Sequence, residues 1–430
     1  MFASFYSFVV LVVLLLLRVP VGFSMVIVGT FGFSFYASFE GTMSMVGRLA
    51  FDTARSSELS VIPLFVLMGN FITRAGLSSE LYNAAYAWIG HRRGGLAMAT
   101  IISCGGFSAV CGSSLATAAT MAKVAMPPMR RFGYADSLAT GAVAAGGTLG
   151  ILIPPSVILV IYGILTSTDI GALFIAGIIP GILGIVGYNI AISIVTRIKP
   201  ELGPPGERTP WSERWKSLGQ VWGVLVLFIV VIGGIYVGLF TPTESAGVGA
   251  TGGFFFALAR RRLTWRILVN LLADSVQTTV MIFFVLIGAL IFSNLINETG
   301  MPETLATWVT EIDAQPVMVI AAILLIYVLL GSVLDSMAMI LLTIPVFFPI
   351  VLGLELDPIW FGILVVVVSE ISLISPPVGM NIFVLNTVLP EVSTATIFRG
   401  VTPFWMIDLV RLTLLVMFPQ LSLFLPMLMG

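Results

Sequence analysis

The stretch from Gly94 to Met129 constrains this chain most. It reads GGLAMATIISCGGFSAVCGSSLATAATMAKVAMPPM, with Lys123 its only formally charged residue. His91-Arg92-Arg93 stand before it and Arg130-Arg131 after it. One helical crossing takes about 20 apolar residues, so this run is too long for one pass and short for two. Positive charge favours the cytoplasmic side of a membrane, yet here it flanks both ends. A hairpin that enters from the cytoplasm, turns at Cys111-Gly112-Ser113-Ser114 and returns meets both conditions. Non-helical backbone at membrane depth is stable only inside protein or beside a wet cavity. The turn therefore reads as part of a transport site.

Comparable apolar runs recur from end to end. Of the 430 residues 58% are hydrophobic and 10% charged, against roughly 25% charged in soluble domains. The fold class expected is an all-α polytopic membrane protein without a soluble domain. A net charge of -1 gives nucleic acid no reason to bind. Cys104 and Cys111 read as small packing residues rather than a disulfide or metal site. His91, the only histidine, belongs to the basic loop. No transition-metal ligand set and no nucleophile–base cluster is apparent, so an enzyme is disfavoured. The N-terminal run MFASFYSFVVLVVLLLL lacks the basic start and small-residue cleavage pattern of a signal peptide. It reads as a retained first span with its N-terminus outside.

Apolar runs place spans near 3–17, 22–39, 60–74, 136–166 and 171–195, with the hairpin at 94–129. After a polar linker come 220–240, 245–259, 271–297, a second long run at 316–350, then 360–389 and 400–425. Stretches near 43–58, 76–90 and 302–312 read as interfacial. The two halves resemble copies. Gly112-Ser113-Ser114-Leu115 matches Gly331-Ser332-Val333-Leu334 at a shift of 219, as Phe65–Gly69 matches Phe284–Gly288. Pro154-Pro155 matches Pro376-Pro377 at 222, and Gly177 and Pro180 match Gly400 and Pro403 at 223. The reading is a repeat at 1–196, a cytoplasmic linker at 197–219 and a repeat at 220–430. Each repeat has five spans and one hairpin, so the odd count inverts the second copy. Its hairpin, flanked by Glu311, Asp313, Glu355 and Asp357 rather than arginines, then enters from outside. Both termini fall on the outer side. Inverted repeats with broken helices are a mark of secondary transporters.

Four stretches interrupt the apolar pattern: CGSSLATAAT (111–120), GGTLGILIPPS (146–156), LGSVLDSMA (330–338) and SEISLISPPVGMN (369–381). Proline removes a backbone donor and glycine relaxes the helix, freeing carbonyls at depth. Such oxygens suit Na+, while helix starts attract anions. Asp335 and Glu370 fall within these stretches. An acid at mid-membrane costs about 2.5–3.5 kcal/mol, which a bound cation or a proton would offset. Their matching positions hold Ala116 and Thr148, so the two sites are electrostatically unequal. Asp408 and Arg411 stand at helical spacing and read as an internal ion pair. Lys123 either snorkels to the cytoplasm or meets an anion.

GSSLATAATMAKVAMPPM, GYADSLATGAVAAGGTLGILIPPSVILVIYG, GALFIAGIIPG and ISPPVGMNIFV closely resemble the large membrane (M, DctM-like) subunit of tripartite ATP-independent periplasmic (TRAP) transporters. The resemblance covers nearly the whole chain. It implies an elevator-type fold of about 10 transmembrane helices and two re-entrant hairpins in a bacterial inner membrane. It also implies a small four-helix membrane subunit (Q) and an extracytoplasmic substrate-binding protein (P). That protein would deliver a carboxylate such as a C4-dicarboxylate or sialic acid, with Na+ as coupling ion and no organic cofactor. Carried onto this sequence, the first sodium site would use Cys111, Ser113, Gly150, Ile153 and Pro155. Cys111 stands where serine is often found, which a carbonyl ligand survives and a hydroxyl ligand does not. The second site would use Leu330, Ser332, Ser372, Ser375 and Pro377, with Asp335 close by. Ser113 and Ser156 lead the candidates for the substrate carboxylate, with Ser114 and Asn381 beside them. The alternative is a self-sufficient sodium/carboxylate symporter or an ion antiporter of a related inverted-repeat fold.

Overall fold

The computed structural model describes residues 2–311 and 315–429; Asp313, expected beside the second hairpin, lies outside them. Among the described residues every regular element is helical. The first half holds α1 (Phe2–Leu16), α2 (Val21–Phe33), α3 (Phe39–Arg55), α4 (Val61–Arg74) and α5 (Leu77–Ile89). Then come α6 (Gly95–Cys111), α7 (Ser114–Arg131), α8 (Asp136–Thr148), α9 (Val157–Thr166), α10 (Ile170–Ala176) and α11 (Ile178–Ile198). The second half holds α12 (Trp211–Tyr236), α13 (Pro242–Ala259), α14 (Trp265–Glu298), α15 (Met301–Glu311), α16 (Pro316–Gly331) and α17 (Ser336–Gly353). It ends with α18 (Pro358–Leu373), α19 (Met380–Val388), α20 (Thr394–Met417) and α21 (Gln420–Met427).

Among the described residues five helices are long and apolar enough to cross a membrane unaided: Ile170–Ile198, Trp211–Tyr236, Trp265–Glu298, Ser336–Gly353 and Thr394–Met417. At 1.5 Å per residue, α14 extends about 51 Å, well beyond a hydrocarbon core of about 30 Å. Several remaining expected spans are interrupted. The run 136–166 divides into α8, a 3-10 turn at Leu149–Ile151 and α9. The run 360–389 divides into α18 and α19 around Pro376-Pro377. Both Pro-Pro pairs are cis. The interfacial stretch 43–58 is α3, which bends by 57° into the helical run Glu58–Arg74.

The linker is shorter than the sequence suggested. Its second part, from Trp211, already forms the first turns of α12. Pro210 supplies the fixed φ suited to a helix start, and the helix carries charge and tryptophan until it meets the bilayer. The remaining segment lies across the mouth of the first hairpin. Gly94 N donates to Gly203 O at 2.8 Å, Gly206 N to Gly90 O at 2.9 Å, and Ala135 N to Leu202 O at 3.1 Å.

Packing exchanges the halves in pairs. α2 runs along α14, and its mate α13 runs along α4. α7 packs on α19, and its mate α17 packs on α9. Glycine permits the close approach. A Cβ on Gly288 would sit 2.6 Å from Gly22 O, and one on Gly29 would sit 2.9 Å from Phe292 N. Without apolar–water contrast inside a bilayer, close packing of small residues carries helix association.

Candidate transport site

The first turn is built by opposed helix-end signals. α6 stops at Gly112, whose φ of +64° suits a residue without Cβ. α7 restarts at once because Ser113 takes an extended backbone and its hydroxyl accepts from Ala116 N at 3.5 Å. The second turn lacks such a glycine and runs from Ser332 to Asp335, two residues longer, with Asp335 as its cap. Asp335 Oδ1 accepts from Met337 N at 3.0 Å and from Ala338 N at 3.1 Å. The acid read from sequence as needing a cation or a proton therefore meets the start of α17.

The first turn and the first broken helix touch backbone to backbone. A Cβ on Gly150 would lie 2.7 Å from Ser113 O, and one on Gly112 would lie 2.8 Å from Pro155 O. Cys111, Ser113, Gly150 and Pro155 thus converge. Ile153 turns its side chain toward Gly181 and Gly105. In the second half Gly331 abuts the Ser372 side chain so closely that a Cβ there would overlap Ser372 Oγ. Ser332 donates to Leu329 O at 2.8 Å, and Ser372 to Ser369 O at 2.7 Å. Ser375 donates to Ile371 O at 2.7 Å and accepts from Trp405 Nε1 at 2.8 Å. Most of these hydroxyls are already engaged with protein.

A cavity of about 920 Å³ opens where both turns and both broken helices meet the neighbouring helices. Cys111 to Ala116 form one wall and Asp335 to Met337 another. Ile151, Val157, Leu373 and Met380 come from the broken helices. Asn70 and Thr73 of α4 and Thr278 of α14 face them from outside the hairpins. The expected substrate residues separate here. Ser113 and Ser114 line the cavity, whereas Ser156 and Asn381 do not. Ser156 is fully buried, donates to Ile151 O at 2.5 Å and caps α9 by accepting from Leu159 N at 3.2 Å. Asn381 is also fully buried. It accepts from Ser114 Oγ at 2.9 Å and donates to Ala144 O at 3.0 Å. That pair ties the first turn to the second half. Lys123 is exposed and stands apart from the cavity lining.

Two hydroxyls escaped the sequence reading. Thr117 Oγ1 and Ser336 Oγ are buried without a hydrogen-bond partner of normal geometry among the described residues, Thr117 lying beside the Cys111 thiol. They are mates at the shift of 219 already set by Gly112 and Gly331, which was the signal available to find them.

A separate buried network joins α8, α11, α18 and α20. Arg411 Nη2 lies 2.5 Å from Glu370 Oε2 and 2.8 Å from Asp408 Oδ1. Tyr188 donates to Asp408 Oδ2 at 2.7 Å and stands 3.2 Å from Thr148 Oγ1. The expected Asp408–Arg411 pair is present, and Glu370 joins it. Glu370 thus has a guanidinium partner rather than standing alone. Thr148 and Glu370 are repeat mates at 222, and Tyr188 and Arg411 at 223, so the network straddles the relation between the halves.

At the basic end, Arg130 lies 3.0 Å from Asp136 and 2.6 Å from Glu391. The hydrogen bond from Arg130 holds the Glu391 carboxyl below its usual range. This contact puts the end of α19 on the same face as the mouth of the first hairpin. On the opposite face Tyr162 donates to Pro358 O at 2.6 Å, bringing the end of α9 to the start of α18.

Paired hairpins and broken helices around one cavity define a polytopic transport protein. The family model for the tripartite ATP-independent periplasmic transporter, DctM component, matches residues 8–421, and the chain belongs to that family. It is 39% identical over 383 residues to the C4-dicarboxylate TRAP transporter large permease protein DctM of Pseudomonas aeruginosa, covering 88% of each. It is 31% identical over 414 residues to the sialic acid TRAP transporter large permease protein SiaM of Vibrio cholerae, covering 96% of each. Its relatives are transport permeases, not enzymes. In fold it is similar to the Alcanivorax borkumensis YdaH transporter, described as having an unusual topology. That match has a TM-score of 0.65 at 15% identity and covers 89% of each chain.

Proposed function

We propose that this chain is the inner-membrane permease of a sodium-coupled importer for an organic carboxylate. One observation carries the reading: turns and broken helices from both halves open on the same cavity of about 920 Å³. Sodium ions sit behind the turns, one among Cys111, Ser113, Gly150, Ile153 and Pro155. The other sits among Leu330, Ser332, Ser372, Ser375 and Pro377, with Asp335 at its edge. The residues of the first site fit oxygen coordination, because Ser113 O and Pro155 O lie against Gly150 and Gly112, where no side chain intervenes. The substrate occupies the cavity against Ser113 and the start of α17. Each inward Na+ gains about 2.3 kcal/mol per 100 mV and each inward negative charge loses as much. Two Na+ therefore only balance a dianion, and a third is needed for the potential itself to drive uptake, the sodium concentration gradient supplying the rest. The hairpins and broken helices move as one body against α2, α4, α13 and α14. A small membrane subunit braces that frame, and a binding protein supplies substrate from outside.

The permease and its small subunit are reconstituted in liposomes with an inward sodium gradient, the binding protein and a C4-dicarboxylate or sialic acid. Uptake is expected only with both gradient and binding protein. Equal uptake of free substrate would instead identify a self-sufficient symporter. Ser113→Ala is expected to raise the sodium concentration for half-maximal uptake several-fold at normal expression. Unchanged sodium dependence would remove Ser113 from the site.

A further inference from the structure

The basic face carries arginines of two kinds. Arg130 and Arg260 are paired, the first with Asp136 and Glu391, the second with Glu80. His91, Arg92, Arg93, Arg208 and Arg214 form no ion pair among the described residues. They gather where the linker meets α5 and the first turn of α12. Glu207 and Glu213, the acids nearest in sequence, are exposed and pair with none of them.

Arg214 is the anomaly in this group. It is only 6% exposed, although it opens a helix at the membrane boundary. Its Nε donates to Thr209 O at 3.0 Å and its guanidinium lies 4.9 Å from the centre of the Trp211 ring. Its Nη2 is buried with no acceptor among the described residues. Two further polar atoms nearby are in the same condition, Trp88 Nε1 and His91 Nδ1. Trp88 packs edge-on against Trp211 at 6.0 Å and Trp215 at 5.5 Å, which fixes the indole beside Arg214. Burial, followed by the charges of Arg214, Arg208 and Arg92, holds the His91 imidazole below its usual pKa, so these cations crowd one another. A buried donor left without an acceptor costs about 1–3 kcal/mol, and crowded cations add repulsion. One anion bound among them would relieve both.

We propose that Arg214, Trp88 and His91, ringed by Arg92, Arg93 and Arg208, form a binding site for the phosphate of an anionic phospholipid. The donors match phosphate oxygens, and a guanidinium recognises them in fork geometry. The location selects a lipid over a soluble phosphate. Trp211 is 61% exposed and Trp215 64% exposed, and both stand one or two turns before the apolar length of α12. Exposed tryptophans at that level mark a headgroup boundary. Basic pockets between helices on the cytoplasmic side hold anionic headgroups. The linker that supplies Arg208 also covers the mouth of the first hairpin, so an occupied site would steady that cover.

The test uses the full chain in nanodiscs of phosphatidylcholine with increasing phosphatidylglycerol, read by thermal unfolding midpoint. The wild type is expected to rise by about 2–4 °C. Arg214→Gln is expected to lose most of that rise. Arg131→Gln, an exposed arginine on the same face outside the cluster, keeps it. Should Arg214→Gln fail to fold, the exposed-rim variant Arg92→Gln/Arg208→Gln reports the same loss. Equal rises in wild type and cluster variants would overturn the proposal as bulk surface attraction. An equal rise from millimolar inorganic phosphate in pure phosphatidylcholine, abolished by the same variants, would overturn the lipid as occupant.

Discussion

At the scale of single residues, position 335 shows how a local role changes the meaning of a charge. An aspartate inside an apolar run reads as an expense in search of a cation, yet its carboxylate closes two backbone donors at the start of α17. Asparagine caps nearly as well as aspartate, and alanine costs about 1 kcal/mol. Asp335→Ala is therefore expected to lower stability by about that amount, with Asp335→Asn close to wild type in denaturant unfolding. Equal losses in the two variants would show that charge, not capping, is what the site uses. Gly150 makes a sharper case. Its missing Cβ would strike Ser113 O at 2.7 Å, backbone that cannot rotate away. Gly150→Ala is expected to abolish uptake while leaving membrane insertion intact, measured by flux against surface expression. The convergence of Cys111, Ser113, Gly150 and Pro155 was legible through family resemblance. The separation of Ser156 and Asn381 from the cavity was not. A serine after a Pro-Pro break reads equally as ligand or cap, and only the course of the chain after residue 156 decides.

At the scale of elements, the hairpins were legible from charge and length, and the broken helices from their Pro-Pro pairs. The network linking α8, α11, α18 and α20 was only half legible. Asp408 and Arg411 announce themselves by spacing on one helix, but Glu370 reaches Arg411 through packing between helices, which sequence spacing does not encode. The network holds two carboxylates and one guanidinium, all 3% exposed or less. That imbalance makes the two ends unequal. Removing the positive centre leaves two buried acids facing each other, a change of the kind that costs about 3–5 kcal/mol. Removing the Glu370 charge leaves Asp408 and Arg411 as a balanced pair. Arg411→Met is thus expected to destabilise far more than Glu370→Gln, compared by unfolding midpoints in one detergent. Similar losses would mean that Glu370, not Asp408, is the principal partner of Arg411.

At the scale of the whole molecule, the odd number of spans per repeat gives a prediction independent of any ligand. The two hairpins should open on opposite sides of the membrane. The structure supplies two marks for the faces. Arg130 meets Glu391 on one, while Tyr162 meets Pro358 O on the other. The mouth of the first hairpin lies with the first mark, and the start of α18, just after the second hairpin, lies with the second. By the bias of Lys and Arg toward the cytoplasmic side, the arginines at the first mouth lead one to expect it at the cytoplasm. Cys104 and Cys111 are free thiols, the first buried and the second half-buried, so a background with Cys104→Ala and Cys111→Ser perturbs little of the exposed surface. In that background Arg131→Cys and Glu355→Cys place one exposed thiol beside each hairpin mouth. A membrane-impermeant maleimide added to intact spheroplasts is expected to label Glu355→Cys and spare Arg131→Cys, with the pattern reversed in inside-out vesicles. Labelling of both from one side would reject the inverted repeat and, with it, any mechanism in which the two halves take turns at opening the cavity. Opposite labelling would establish the geometry that such an exchange needs: one cavity, two hairpins, and a face for each.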